Sequence, residues 1–130
     1  MNGNIVYESG TVRGEGGILY ITKKQPCIIP MYFQIKMFNA AENKEEDYTI
    51  NPNDVIEFTF KSDIKLISKV LVKRYTGVIN NTAILRLTTQ DMQNFLGGKD
   101  YYMSAKLYNG SGVVIKTLIK KLQVHVQEVV

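Results

Sequence analysis

The final third of the chain, from Leu85 to Val130, alternates apolar and polar residues and is divided by turn signals. A period of two places successive side chains on opposite faces of an extended strand. Asn109-Gly110 follows the alternating run 101–108, and an Asn-Gly pair between two such runs predicts a β-hairpin. This region therefore favours an antiparallel sheet with one face buried.

The strand that returns from this turn changes the face that carries its apolar residues. Up to Ile119 they occupy odd positions, whereas from Leu122 onward they occupy even positions. A strand exchanges faces only through an inserted residue, so we predict a β-bulge at Lys120 and Lys121. We expect this break to let the final strand cross to the opposite sheet.

One short helical turn is predicted near residues 89–96. Thr88 stands at its start and Asp91 follows three positions later, which is the spacing of a capping box. Gly97 is predicted to end the turn in the left-handed conformation. The apolar stripe of the turn consists of Met92, Phe95 and Leu96.

The rest of the chain contains further short alternating runs, at 18–22, 31–37, 56–60 and 83–87. Residues 64–74 are ambiguous, because lysines recur every four residues as on a helix whereas several residues are β-branched, and we predict a strand. Between these runs, residues 39–53 are polar and mostly acidic, which indicates a loop insertion or a charged hairpin tip. The pattern predicts an all-β fold, an antiparallel immunoglobulin-like β-sandwich of about seven strands, with a small closed barrel as the alternative. We assign residues 1–17 to an N-terminal arm or leading strand and residues 18–130 to a single domain.

Few residues in the sequence suggest chemistry. The only cysteine, Cys27, lies among apolar neighbours, and the only histidine, His125, falls on the polar side of its strand. The acidic run 42–47 lacks the spacing of a calcium loop. We therefore predict that the chain is not an enzyme, that it has no catalytic, cofactor-binding or metal-binding residues, and that it needs no cofactor.

Two classes of partner are not expected. The net charge is +4 and the lysines of 61–73 and 116–121 could form a basic stripe, but no nucleic-acid-binding motif accompanies them. No apolar segment is long enough to cross a bilayer, and the N-terminus lacks the pattern of a secretory signal. We predict no nucleic-acid partner and no membrane partner.

Two groups of residues form the predicted interaction surface. Ile5, Val6 and Tyr7 make an apolar patch on the N-terminal arm, suited to strand addition on a neighbouring subunit. Tyr102 and Tyr108 share the face of their strand that points away from the core. Their rings could contact a second sheet, another subunit or a sugar.

The order of motifs over residues 50–130 resembles a known family. The segments are INPNDVIEFTF, ISKVLVKR and ILRLTTQDMQNFLGGKDYYMSAKLYNGSGVVIKTLIKKLQVHVQEV. They are similar to the immunoglobulin-like N-terminal module of the baseplate upper protein family of tailed phages. That module typically has an Asp-led strand, a lysine in its middle strand, a short Thr/Asp helix ending at Gly, a Tyr-rich strand and a closing hairpin. Lys120 and Lys121 depart from it, since many members have a glycine there.

The resemblance implies a non-enzymatic structural component of a phage tail or tail-like particle, placed in the baseplate and acting through subunit–subunit contacts. Its implied partners are copies of itself and other tail or baseplate proteins. Its implied location is the virion or particle, after synthesis and assembly in the bacterial cytoplasm. The alternative is a glycan-binding or host-recognition β-sandwich module, with carbohydrate as an open but unsupported partner.

Overall fold

The computed structural model describes residues 5–6, 13–15, 18–62 and 68–128. These residues form eleven strands and one helix. In chain order they are β1 (Ile5–Val6), β2 (Arg13–Glu15), β3 (Ile18–Thr22), β4 (Cys27–Phe33), β5 (Ile35–Asn39), β6 (Lys44–Tyr48), β7 (Val55–Lys61), β8 (Lys69–Tyr75), β9 (Thr82–Leu87), α1 (Thr89–Met92), β10 (Asp100–Tyr108) and β11 (Val114–Gln127). Within this described part, no helix is long and apolar enough to cross a membrane.

The described strands form three sheets. One has the order β1-β4-β9, the second has the order β2-β3-β11-β10-β7-β8, and the third is the β5–β6 hairpin. Every described pair is antiparallel except β3 with β11, which is parallel. The predicted all-β sandwich is confirmed. More strands are present than the predicted seven because the short β1, β2 and the acidic hairpin add pieces of their own.

The core lies between the three-stranded and six-stranded sheets, as the alternation predicts. Side chains from the inner faces of both sheets belong to one buried cluster. They include Ile29, Met31, Phe33, Ala83, Leu85 and Leu87 from the smaller sheet, and Leu19, Ile21, Ile56, Phe58, Phe60, Tyr101, Met103, Ala105 and Leu107 from the larger. Burial of each large apolar side chain stabilises the fold by about 1.5–3 kcal/mol.

The bulge predicted at Lys120 and Lys121 is present. Met103 pairs with Leu122 and Ala105 pairs with Ile119, so β11 uses one residue more than β10 over this interval. The predicted crossing to the opposite sheet is wrong. The strand stays paired with β10 on one side and gains β3 on the other, because the bulge turns the side chains while the hydrogen-bonded ladder continues.

The predicted capping box at α1 is confirmed. Thr88 Oγ1 accepts a hydrogen bond from Asp91 N at 3.0 Å, and Asp91 Oδ2 accepts one from Thr88 N at 2.9 Å. Two details of the predicted turn are wrong. Leu96 is exposed and Gly98, not Gly97, has the positive φ, at 78°. The helix ends at Met92, so helical spacing no longer governs the residues beyond it.

Candidate interaction face

The outer side of the three-stranded sheet exposes apolar side chains next to one another. We call it the β4–β9 face, defined by Ile28, Pro30, Tyr32, Thr82, Ile84 and Arg86. Register pairs Ile28 with Arg86, Pro30 with Ile84 and Tyr32 with Thr82. The exposed fractions are 53% for Ile28, 43% for Tyr32 and 41% for Ile84, and Ile79 beside the face is 73% exposed. A sheet face turned to water usually carries polar residues instead.

The local sequence of β4 explains why this face is apolar. In CIIPMYF the buried positions Cys27, Ile29, Met31 and Phe33 alternate with three outward positions that are also mostly apolar. A strand that is apolar on both sides is typical of one covered on both sides. The inner cover is the six-stranded sheet, whereas nothing among the described residues covers the outer side in the same way.

The face continues into the β5–β6 hairpin. Inward burial continues at Ile35, so the alternation keeps Gln34, Lys36 and Phe38 on the side of Tyr32. Phe38 is 62% exposed. Lys36 pairs with Asp47 and Phe38 with Glu45 across the hairpin, and the Lys36 Nζ to Asp47 Oδ1 distance is 2.5 Å.

A hollow of about 380 Å³ lies where the face meets the hairpin, with Tyr32, Gln34, Asp47 and Asn80 in its lining. Asn81 holds its base together. Its Nδ2 donates to Tyr48 O at 2.9 Å and its Oδ1 accepts from Ile50 N at 2.9 Å. These bonds fix the hairpin at one end of the β4–β9 face.

Tyr48 and Asp54 form the second anchor of the hairpin. The Tyr48 hydroxyl donates to Asp54 Oδ2 at 2.6 Å, and Asn51 N donates to the same oxygen at 3.0 Å. Asp54 is buried. Burial, and then the hydrogen bond and charge of Asp54, raise the pKa of Tyr48 to about 12. The phenol therefore stays protonated over the ordinary pH range.

The free edge of β9 is closed at both ends. Arg86 N donates to the Tyr75 hydroxyl at 2.9 Å, and Thr82 N donates to Ile79 O at 3.0 Å. Between them only Ile84 remains on the edge, which is too short to accept an added strand. Capping of this kind opposes the addition of a strand to β9. On the β9 side of this sheet, the surface open to a partner is therefore the face and not the edge.

The structure places Tyr102 and Tyr108 on the outer side of the six-stranded sheet, where other side chains contact them. Both are half-buried. The Lys121 ammonium lies 4.9 Å from the centre of the Tyr102 ring. The Tyr108 hydroxyl lies 3.5 Å from Glu57, which also accepts from Arg74 at 2.7 Å. Both tyrosine side chains therefore already have a polar partner on their own sheet.

The rest of the predicted interaction surface lies elsewhere. Ile5 pairs with Phe33 and Val6 with Tyr32, so β1 adds to the three-stranded sheet of its own chain. Tyr7 lies outside the described residues. Among the predicted residues that are described, Ile5 and Val6 therefore belong to the three-stranded sheet, and Tyr102 and Tyr108 to the six-stranded sheet.

His125 and Cys27 occupy ordinary structural positions. His125 Nδ1 lies 2.6 Å from Asp100 Oδ1, and the imidazole meets the Tyr20 ring edge-on with the centroids 5.9 Å apart. Cys27 is buried, and burial raises the pKa of its thiol to about 11. Across the described ranges, no three His, Cys, Asp or Glu side chains group so that they could hold a metal ion.

No model of a protein family matches this sequence, and no curated protein matches it. Among solved structures, the chain is similar to the superoxide reductase (neelaredoxin) from Ignicoccus hospitalis T24K. The TM-score is 0.46 and the identity 12%, over 95% of this chain and 79% of that chain. At this TM-score and identity the likeness assigns no activity to the present chain.

The predicted membership of the phage baseplate upper protein family is wrong. No family matches, and the similar structure is that of an enzyme and not of a tail protein. The predicted function as a non-enzymatic tail component, with its glycan-binding alternative, and the prediction that the chain is not an enzyme are corrected by the same finding. Short alternating strands, a capped turn and an Asn-Gly hairpin recur in many β-sandwiches, so their order did not identify a family.

The residues of the β4–β9 face were missed although the sequence contains a signal for them. Ile28, Tyr32 and Ile84 occupy outward positions within strands whose inward positions are apolar as well. A strand whose outward residues are apolar as well as its inward ones is typical of a strand that is covered on both faces. Ile79 and Phe38 had no comparable signal, because a turn and a hairpin place them beside this face only in three dimensions.

Proposed function

We propose that this protein associates with a second copy of itself through the β4–β9 face. The observation that carries the proposal is the exposure of Ile28, Tyr32 and Ile84 side by side on one sheet face. Contiguous exposed apolar patches mark interaction sites, and apolar sheet faces pack on one another about 10 Å apart. This proposal assigns the homo-oligomer that we expect from the sequence to one surface.

The charges on the face favour such a contact. Among its six defining residues only Arg86 is charged, and it lies at one end. Two such faces can therefore pack on each other without burying an unpaired charge among their apolar residues, which would cost several kcal/mol. A stable interface of standard size buries about 800 Å² per partner, so the contact must extend from the face to the neighbouring hairpin.

The test is the mass of the protein in solution, measured by sedimentation equilibrium over a range of concentrations. We expect the wild type to dimerise and Ile84→Lys to raise the dissociation constant roughly 30-fold or more, because a buried apolar contact is replaced by a charge. Val113→Lys is the matched control, since Val113 is also exposed but lies in the β10–β11 hairpin loop. Circular dichroism and urea unfolding verify that both variants fold.

A wild type that is monomeric at all concentrations would contradict the proposal. So would equal dissociation constants for Ile84→Lys and Val113→Lys.

A further inference from the structure

We infer that the two copies pack with their β4–β9 faces antiparallel, so that the Arg86 end of each meets the acidic hairpin of the other. This arrangement rests on the proposed association and adds its orientation. The observation behind it is that the face has a positive end and a negative end.

The positive end is defined by Arg86, whose exposed side chain stands opposite Ile28. At the other end, beyond Tyr32, lies the hairpin. Its acidic residues outnumber its basic ones, with Glu42, Glu45, Glu46 and Asp47 against Lys36 and Lys44. Glu45 is paired in register with Phe38 and therefore points to the same side of the hairpin as Phe38. The charge along the face thus changes sign from one end to the other.

A symmetric pair of stacked sheets can be built in two ways. A twofold axis parallel to the strands brings like ends together, with Arg86 against Arg86 and hairpin against hairpin. A twofold axis across the strands brings Arg86 of each copy to the hairpin of the other. Like charges placed opposite each other cost several kcal/mol at an interface, so the antiparallel arrangement is favoured.

The same arrangement gives the exposed Phe38 ring a partner. It brings Phe38 of one copy towards Ile28 of the other, and symmetry repeats the contact at the opposite end. Aromatic side chains are common anchors at interfaces, and a large ring exposed on a hairpin tip is otherwise costly in water. Each hairpin then lies over the far end of the partner's face.

A charge exchange at the two ends tests the orientation. We expect Arg86→Glu alone and Glu45→Lys alone each to raise the dissociation constant about tenfold, because each places like charges in contact at both ends of the dimer. The double variant Arg86→Glu/Glu45→Lys reverses both charges and should return the constant to within about threefold of the wild type. The dissociation constant of the wild type should also rise with added salt.

Lys106→Glu is the matched control, since it makes the same charge change at an exposed position on the other sheet and should leave the dissociation constant unchanged. In the parallel arrangement Arg86→Glu replaces one like pair by another, so neither single variant weakens association and the double variant shows no rescue. That result, with Ile84→Lys still disruptive, overturns the orientation alone. A monomeric wild type overturns both the orientation and the proposed function.

Discussion

The two outer surfaces of this sandwich differ in what they do with exposed side chains. On the six-stranded sheet, Glu57 contacts Arg74 and Asp100 contacts His125, so these polar side chains have partners on the same surface. On the three-stranded sheet, Ile28 and Ile84 stand in water without such cover. Val72 and Val114 of the larger sheet are exposed too, but they lie on β8 and β11, which are not neighbouring strands. The exposed apolar residues of the β4–β9 face, in contrast, adjoin one another.

This difference shows which residues indicate function in a β-sandwich that has few candidate catalytic or metal-binding side chains. Aromatic residues drew attention to Tyr102 and Tyr108, yet those rings are already in contact with Lys121 and Glu57. Aliphatic residues on the outward side of a strand are less conspicuous in a sequence. Such aliphatic residues indicate a contact more strongly than the tyrosines do. Burying an exposed aliphatic side chain is favourable, whereas a polar group that already has a partner gains little from burial.

The largest expected effect separates the two sides of β4 itself. Ile29 is fully buried and its neighbour Ile28 is exposed. We expect Ile29→Ala to lower the free energy of unfolding by about 2–5 kcal/mol, through lost burial and a cavity. Ile28→Ala should cost less than about 1 kcal/mol in the monomer. Urea unfolding at low protein concentration measures both.

At high protein concentration, Ile28→Ala should lose additional stability relative to the wild type, because it weakens the dimer that stabilises the fold by mass action. A cost for Ile28→Ala that does not depend on concentration would remove the distinction between the two outer surfaces.

A middle-sized effect is expected at the hairpin anchor. Asp54→Ala leaves the Tyr48 hydroxyl and Asn51 N without their acceptor and should cost about 1–3 kcal/mol in urea unfolding. The pKa of Tyr48 is raised from 10.0 to about 12, so between these pH values the folded chain keeps the phenol proton that the unfolded chain loses. The contribution of the protonated Tyr48 to the free energy of unfolding is therefore fully present below pH 10 and is lost as the pH rises from 10 towards 12.

Ultraviolet titration of the wild type, compared with Tyr48→Phe, measures this ionisation. A difference spectrum that titrates near pH 10 would contradict the anchor. If the anchor does fix the hairpin, Asp54→Ala should also weaken association.

The smallest effect is expected on the polar surface. Glu57→Gln removes the charge that pairs with Arg74, a contact exposed on the arginine side. Surface ion pairs contribute about 0–1 kcal/mol, so the variant should unfold nearly as the wild type does and dimerise with the same dissociation constant. A weaker dimer in Glu57→Gln would move the contact surface to the six-stranded sheet.

The strands and the core were predictable because period-two alternation is a local property. Phe58 and Leu85 are buried as expected, and the bulge after Ile119 was visible as a change of phase. The spacing of Thr88 and Asp91 alone predicted their capping box. Each of these features depends on residues close together in the sequence, which is where pattern analysis is reliable.

Features set by the rest of the fold were not predictable. The β10–β11 connection begins at Asn109-Gly110 as expected, but the positive φ, at 83°, belongs to Gly112, and Asn109 Oδ1 accepts from Ser111 N and Val113 N. The parallel partner of β11 is β3, which no local pattern indicates. The β4–β9 face also depends on contacts that no local pattern indicates. Ile79 lies beside this face because it pairs with Thr82 at the start of β9.

The β3–β11 pairing has a consequence for biosynthesis. Leu19 lies opposite Val124. More than a hundred residues are therefore synthesised after β3 before its partner strand β11 is available. Contacts that distant in sequence slow folding. The larger sheet therefore closes only after β11 has been synthesised, and until then the edge of β3 lacks this partner and can pair with other chains.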